Sequence, residues 1–172
     1  MPIYALGSIE PQIHQDAFVH PDATIIGNVT IGRNSTIWPQ AVLRGDYGSI
    51  VIGEDTSIQD GTVVHATAEL PTTIGSRCVI GHLAHLEGCT ISDHVLIGSN
   101  SVVLHRARVG SYSLVGAGAV ITNDSTVPSF SMALGIPAKI LPNKITEDQF
   151  AASVEAYIEN GKRYKRDLKR IG

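Results

Sequence analysis

The chain has 172 residues and a formal net charge of −3, and it is 43% hydrophobic but only 5% aromatic. That length suits one sizeable domain, and the mild negative charge argues against nucleic acid as a general partner. No apolar run approaches the roughly 18 to 20 residues of a membrane span, no basic and apolar leader opens the chain, and two cysteines make no disulfide scaffold, so a cytoplasmic protein with free, buried thiols is expected.

Residues 1–17 show no period and are expected to strap irregularly over the first coil. From Val19 a six-residue beat of small aliphatics begins: Val19, Ile25, Ile31, Ile37, Leu43. It returns at Ile52, Ile58 and Val64, again at Ile74, Ile80 and Leu86, and after a slip of one residue at Ile91, Ile97, Val103, Val109, Val115 and Ile121. A small residue sits four places after most of them, as in Ala23, Ser35, Thr56, Thr62, Cys78, Ala84, Ser101 and Ser113. Such a period belongs to a hexapeptide β-helix, a mostly β triangular prism of parallel coils. Each hexad is a short strand and a turn, and three make one coil. The aliphatic points inward, the small residue fits the converging corner, and Gly or Asn is expected at the turns. This β-helix domain is placed at 1–143. The segment Thr126 to Asn143, with Pro128, Pro137 and Pro142, is expected to leave the prism.

A C-terminal α-helix is placed in 144–172, starting at Thr146 as N-cap with Gln149 set for a capping box. Phe150, Val154, Tyr157, Ile158 and Leu168 fall near one face, and Gly161 reads as a weak point. The stretch Lys162–Arg170 holds six basic residues and one acid, which reads as a solvated helix end favoured by the dipole.

Coils stack at roughly 4.8 Å, so outward residues one coil apart form columns. His65 follows the inward Val64 and Glu87 follows the inward Leu86, so they share a slot one coil apart, with Arg44 below. Ligand-type side chains stacked this way can converge on one ion. His82 lies after Ile80 on a different face and cannot join them within its own prism. It can join from a second subunit around a three-fold axis, so a homotrimer with a shared interfacial metal is expected.

Arg44-Gly45-Asp46, Gln59-Asp60 with His65 six residues after Gln59, the run Gly81-His82-Leu83-Ala84-His85-Leu86-Glu87-Gly88-Cys89 and the exit Leu134-Gly135-Ile136-Pro137-Ala138-Lys139 resemble the γ-class carbonic anhydrase family. The resemblance covers nearly the whole chain. It implies a trimer that reversibly hydrates CO2 to bicarbonate, with His65 and His82 as ligands from neighbouring chains. The ion implied is zinc, with Fe2+ or Co2+ as alternatives. It further implies that Arg44 and Asp46 form salt bridges between subunits and that Gln59 helps position the reacting water.

One position departs: the family's third histidine is Glu87 here. Three readings are open. Glu87 completes a His2Glu set, which is ordinary for catalytic zinc. His85, two residues earlier and on the same side of the strand, takes over. Or the site is metal-poor and the chain a trimeric scaffold. An acyltransferase on the same prism is a further rival, disfavoured by the short insertions. Glu69, in the short insertion after His65, is a candidate proton shuttle set against a plain solvated acid.

Overall fold

The computed structural model describes residues 2–172. It is a left-handed parallel β-solenoid of about seven turns, mostly strand, with a single C-terminal helix. The strands stack into two principal parallel sheets. One carries Val42–Ile52, Val63–His65 and His85–Glu87, and the other carries Ser57–Ile58 and Val79–Ile80. Among the described residues no helix is long and apolar enough to cross a membrane.

The six-residue beat is the core. Ile25, Ile37, Leu43, Ile58, Val64, Ile80, Leu86, Ile97, Val103 and Val115 are fully buried, packed in a single column down the prism. Only branched side chains of this volume fit so narrow a bore, which accounts for the scarcity of aromatics. The small polar residues at the corners are buried too, and each hydroxyl finds a carbonyl. Ser35 donates to Gly53 O (2.7 Å), Thr56 to Gly75 O (2.8 Å), Thr62 to Gly81 O (2.9 Å) and Ser113 to Pro128 O (2.8 Å). Burying them therefore leaves no unpaired group.

The turns differ from expectation. Left-handed dihedrals fall on Leu83, Arg77, His94, Arg106, Tyr112 and Phe130 as well as on Asn34 and Asn100, with φ of 54–61° across these positions. Coil-to-coil backbone bonds hold them there, such as His94 N–H to Ser76 O (3.0 Å) and Leu83 N–H to Asp60 O (2.9 Å). The side chains at one corner then stack: His94 on Tyr112 at 4.6 Å and Tyr112 on Phe130 at 5.2 Å.

The ends also differ. Residues 3–13 are not purely an irregular strap, because Ile3–Tyr4 and Gln12–Ile13 pair in parallel with Thr24–Ile31. The chain stays in the prism through Met132–Leu134 and turns back through the antiparallel strand Lys139–Leu141. Thr146 and Gln149 do bond each other, Thr146 N–H to Gln149 Oε1 at 3.3 Å, but they close a turn ahead of the helix, which runs Ala151–Asp167. Val154 and Ile158 bury against Val79 and Leu96, and Tyr164 packs edge-on to Trp38 at 5.0 Å. Leu168 lies beyond the helix, exposed. Gly161 is not a weak point but a contact: a Cβ there would stand 2.5 Å from Thr36 Cγ2.

One corner collects the extra residues. Between matched positions Asn28 stands alone in one coil, where the next has Asp46 to Ser49. Six residues, 66–71, then separate His65 from Thr72, although Arg44 still matches His65 and Ile50 matches Thr72. The coil above covers that corner from Glu87 to Thr90 with Gly88 and Cys89 alone.

Candidate functional site

The column expected from sequence is the one observed. Arg44 registers with His65 and His65 with Glu87, with Val64 and Leu86 buried behind them. The period-2 alternation of the strand turns the site residues outward once the aliphatics point in. Thr72 ties the two coils together, its hydroxyl donating to His65 O and accepting from Gly88 N–H at 2.8 Å.

His65 stands between two carboxylates. Its Nδ1 lies 2.6 Å from Glu87 Oε1 and its Nε2 3.0 Å from Asp46 Oδ1. A neutral imidazole donates from one nitrogen only, an imidazolium from both. Asp46 reaches His65 because it sits in the corner insertion, and it also pairs with Arg44. Within the single chain, then, Arg44 and Asp46 pair with each other. Burial raises the Asp46 pKa, but hydrogen bonds from His65 and Arg44 outweigh it and hold the carboxyl below its ordinary value. The His65 hydrogen bond, against the opposing effect of burial, lowers that of Glu87, helped by the charges of His65, His105 and His85.

Glu87 faces more than His65. Its Oε2 lies 3.5 Å from His85 Nε2 and 3.6 Å from His105 Nε2. His85 therefore shares the outward side with Glu87, as its spacing implied. His105 was not singled out from sequence. It follows Leu104 in the next coil, and its ring lies over Gly88, where a Cβ would come within 3.0 Å of His105 Cδ2. The register alone would not have found it: one coil beyond Glu87 stands Leu104, since His85 matches Val102 and Leu86 matches Val103, and His105 is the residue after it.

His82 is elsewhere, after Val79–Ile80 in the second sheet. Its Nδ1 lies 3.0 Å from Asp60 Oδ2, a second stacked pair, twenty-two residues apart, that sequence reasoning did not single out. The His82 side chain is 51% exposed against 14% for His65, which leaves it open to a neighbour. Gln59 is buried at the end of Ser57–Ile58, its backbone bonded to Ile80 and Thr62. Glu69 is exposed on the corner loop. Among the described residues no three His, Cys, Asp or Glu of the one chain are arranged to hold a metal ion.

Comparison with known proteins agrees with this geometry. The family profile described as bacterial transferase hexapeptide (six repeats) matches residues 10–45 and 88–123. The chain is 40% identical to γ carbonic anhydrase 1, mitochondrial, of Arabidopsis thaliana, over 82% of this chain and 53% of that protein. It thus spans about half the length of that curated relative. It is 36% identical to the carnitine operon protein CaiE of Escherichia coli, over 87% of this chain and 76% of that one. A solved hexapeptide transferase family protein of Anaplasma phagocytophilum superposes with a TM-score of 0.88 at 37% identity, over 94% and 97% of the two chains. With the beat, the site column and these relatives in accord, the chain belongs to the γ-class carbonic anhydrase-like family of hexapeptide-repeat, left-handed β-helix proteins.

Proposed function

We propose that the chain is a metal-dependent hydratase of CO2 to bicarbonate, acting as a homotrimer with its site between subunits. The observation that carries this reading is the His65–Glu87 column braced by Asp46, together with a half-exposed His82 on another face. The donor set fits a divalent cation: two imidazoles and a carboxylate are an ordinary zinc set. His65 and Glu87 of one subunit and His82 of a neighbour would hold the ion, zinc being the choice this set favours. Bound there, such an ion supplies Lewis acidity and makes a nucleophile available from water near neutral pH.

The chain's own residues do the rest. Asp46, fixed by Arg44, orients the His65 ring as an outer carboxylate orients a ligand histidine. Asp60 does the same for His82 through Nδ1, leaving Nε2 free. Gln59, buried near the base of the His82 turn, is assigned to position the reacting water with its amide. Leu83 and Val63, both exposed in the single chain, supply apolar surface that dries a shared cleft and favours an apolar gas over water. Glu69, exposed and close in sequence to His65, is the candidate to pass protons to solvent.

A second reading has its own observation. Both nitrogens of His65 are already engaged by carboxylates, as they would be in a trimeric scaffold without catalysis. The test is metal content and CO2 hydration of the purified full-length chain. One divalent ion per subunit, lost in His65→Ala and in His82→Ala, with stopped-flow hydration above background, is expected. A metal-free trimer with no hydration at any pH overturns the enzyme reading.

A further inference from the structure

Glu87 carries an oxygen with two histidines facing it and a hydrogen bond to neither. The short bond from His65 uses Oε1. Oε2 has His85 Nε2 at 3.5 Å and His105 Nε2 at 3.6 Å, both beyond hydrogen-bond length. The two histidines differ in what surrounds them. His105 Nε2 is sealed from solvent and is the only buried side-chain nitrogen or oxygen without a partner among the described residues. A buried donor left unpaired is costly, and native structures rarely keep one without a use. The two side chains are about equally exposed, 38% for His85 and 33% for His105, so what sets His105 apart is the sealing of its one nitrogen.

His105 is also held in place. It follows Leu104, whose N–H bonds Ile121 O at 3.0 Å, and the next residue, Arg106, donates its N–H to Gly88 O at 2.7 Å. Its ring lies so near Gly88 that a Cβ would crowd it and the Leu70 side chain at 3.0 Å. A shift of roughly 0.8 Å brings a 3.6 Å approach to the ordinary length of a charge-assisted bond.

We propose that His105 is a positioning residue for Glu87: its Nε2–H takes Oε2 when Oε1 is turned from His65 to a divalent cation. The inference rests on the reading of Glu87 as a ligand. In the single chain Glu87 is satisfied by His65, which is itself a ligand under that reading. Ligation removes that hydrogen bond from the carboxylate. His105 replaces it from the opposite oxygen, and so holds the plane and rotamer in which Oε1 faces the ion. The reach is confined to one chain, so it is present before any neighbour arrives.

The test uses the full-length protein stripped of metal and titrated with Zn2+ alone against a competing chelator. His105→Ala is expected to weaken Zn2+ binding about 10- to 100-fold, the range for outer partners of ligands. His105→Gln, whose amide can still donate, recovers most of the loss. In a Glu87→Gln background His105→Ala has little further effect, because its role runs through that carboxylate. A role in packing alone would give additive losses and no recovery by Gln. Should Glu87→Gln weaken binding while His105→Ala matches wild type, or should the losses add, the inference is overturned and the ligand reading of Glu87 stands. Wild-type binding unaltered in Glu87→Gln, or no Zn2+ uptake at all, removes the ligand reading and the inference with it.

Discussion

Gly161→Ala should destabilise the docked helix although it improves the helix itself. Alanine in a helix interior is favoured over glycine by about 1 kcal/mol. Against that, the new Cβ would lie 2.5 Å from Thr36 Cγ2, about 1 Å inside the ordinary carbon–carbon separation of about 3.5–4.0 Å. Thr36 has little freedom to yield. It is buried and β-branched, and its Oγ1 accepts from Trp38 Nε1 at 3.0 Å. The helix must move instead, loosening Val154, Ile158 and the edge contact of Tyr164 on Trp38. Overpacking of this kind costs about 1–3 kcal/mol, so after the gain in the helix the net loss is about 0–2 kcal/mol, toward the upper end because Thr36 cannot yield. Trp38 is the single tryptophan and lies under the helix, so its fluorescence reports docking directly. Helix amides should exchange roughly ten times faster for a loss of ~1.4 kcal/mol. A variant with slower exchange, higher Tm and unchanged Trp38 emission would show that the contact is slack and the reasoning wrong.

Leu86→Ala removes a fully buried side chain directly behind Glu87 and His85. A loss of about 2–5 kcal/mol by denaturant unfolding is expected, and a loss below about 1 kcal/mol would mean that the bore collapses around the gap. Cys78 and Cys89 are free and buried, and burial pushes both thiols up to about 12, so the native protein should resist thiol reagents at about pH 8 until it unfolds. Those raised thiols stabilise fully below the ordinary value of 9.0, and the contribution is lost as pH rises from there through about 12, because the unfolded chain releases the protons first. Each thiol adds up to ~1.4 kcal/mol per pH unit to that decline, so Cys78→Ala/Cys89→Ala should show a shallower alkaline loss.

The fold was legible because a solenoid turns sequence spacing into spatial spacing. Once Val64 and Leu86 were read as inward, the register of His65 with Glu87 followed, and the observed pairing is that register. The same logic placed His82 in a different sheet from His65. What escaped was whatever depends on corners. Asp46 reaches His65 from an insertion, and insertions have no period. His105 follows a column residue around a turn, so its side chain points back at Glu87 although its own backbone position lies outside the column. The turn residues were misjudged for a related reason. Propensity asks for Gly or Asn at positive φ, but bonds between coils hold Leu83, Tyr112 and Phe130 in that conformation. Gly161 looked like a helix defect because its value lies in a partner, Thr36, more than a hundred residues away.

The corner after Gly45 and His65 separates length from address. Its loops run from one residue to six, yet every column on either side keeps its match, since each coil is aligned by its own strands and not by the length of the link before it. New sequence can therefore enter at that one place and hang beside the His65–Glu87 column while every other coordinate in the molecule keeps its value. Asp46 is one such arrival and the loop bearing Glu69 another. Evolution can edit the chemistry here as text is inserted at a bookmark, trying longer, more acidic or more apolar loops against an unmoved pair of side chains, and the same position is where a designer can graft a segment without renumbering the prism.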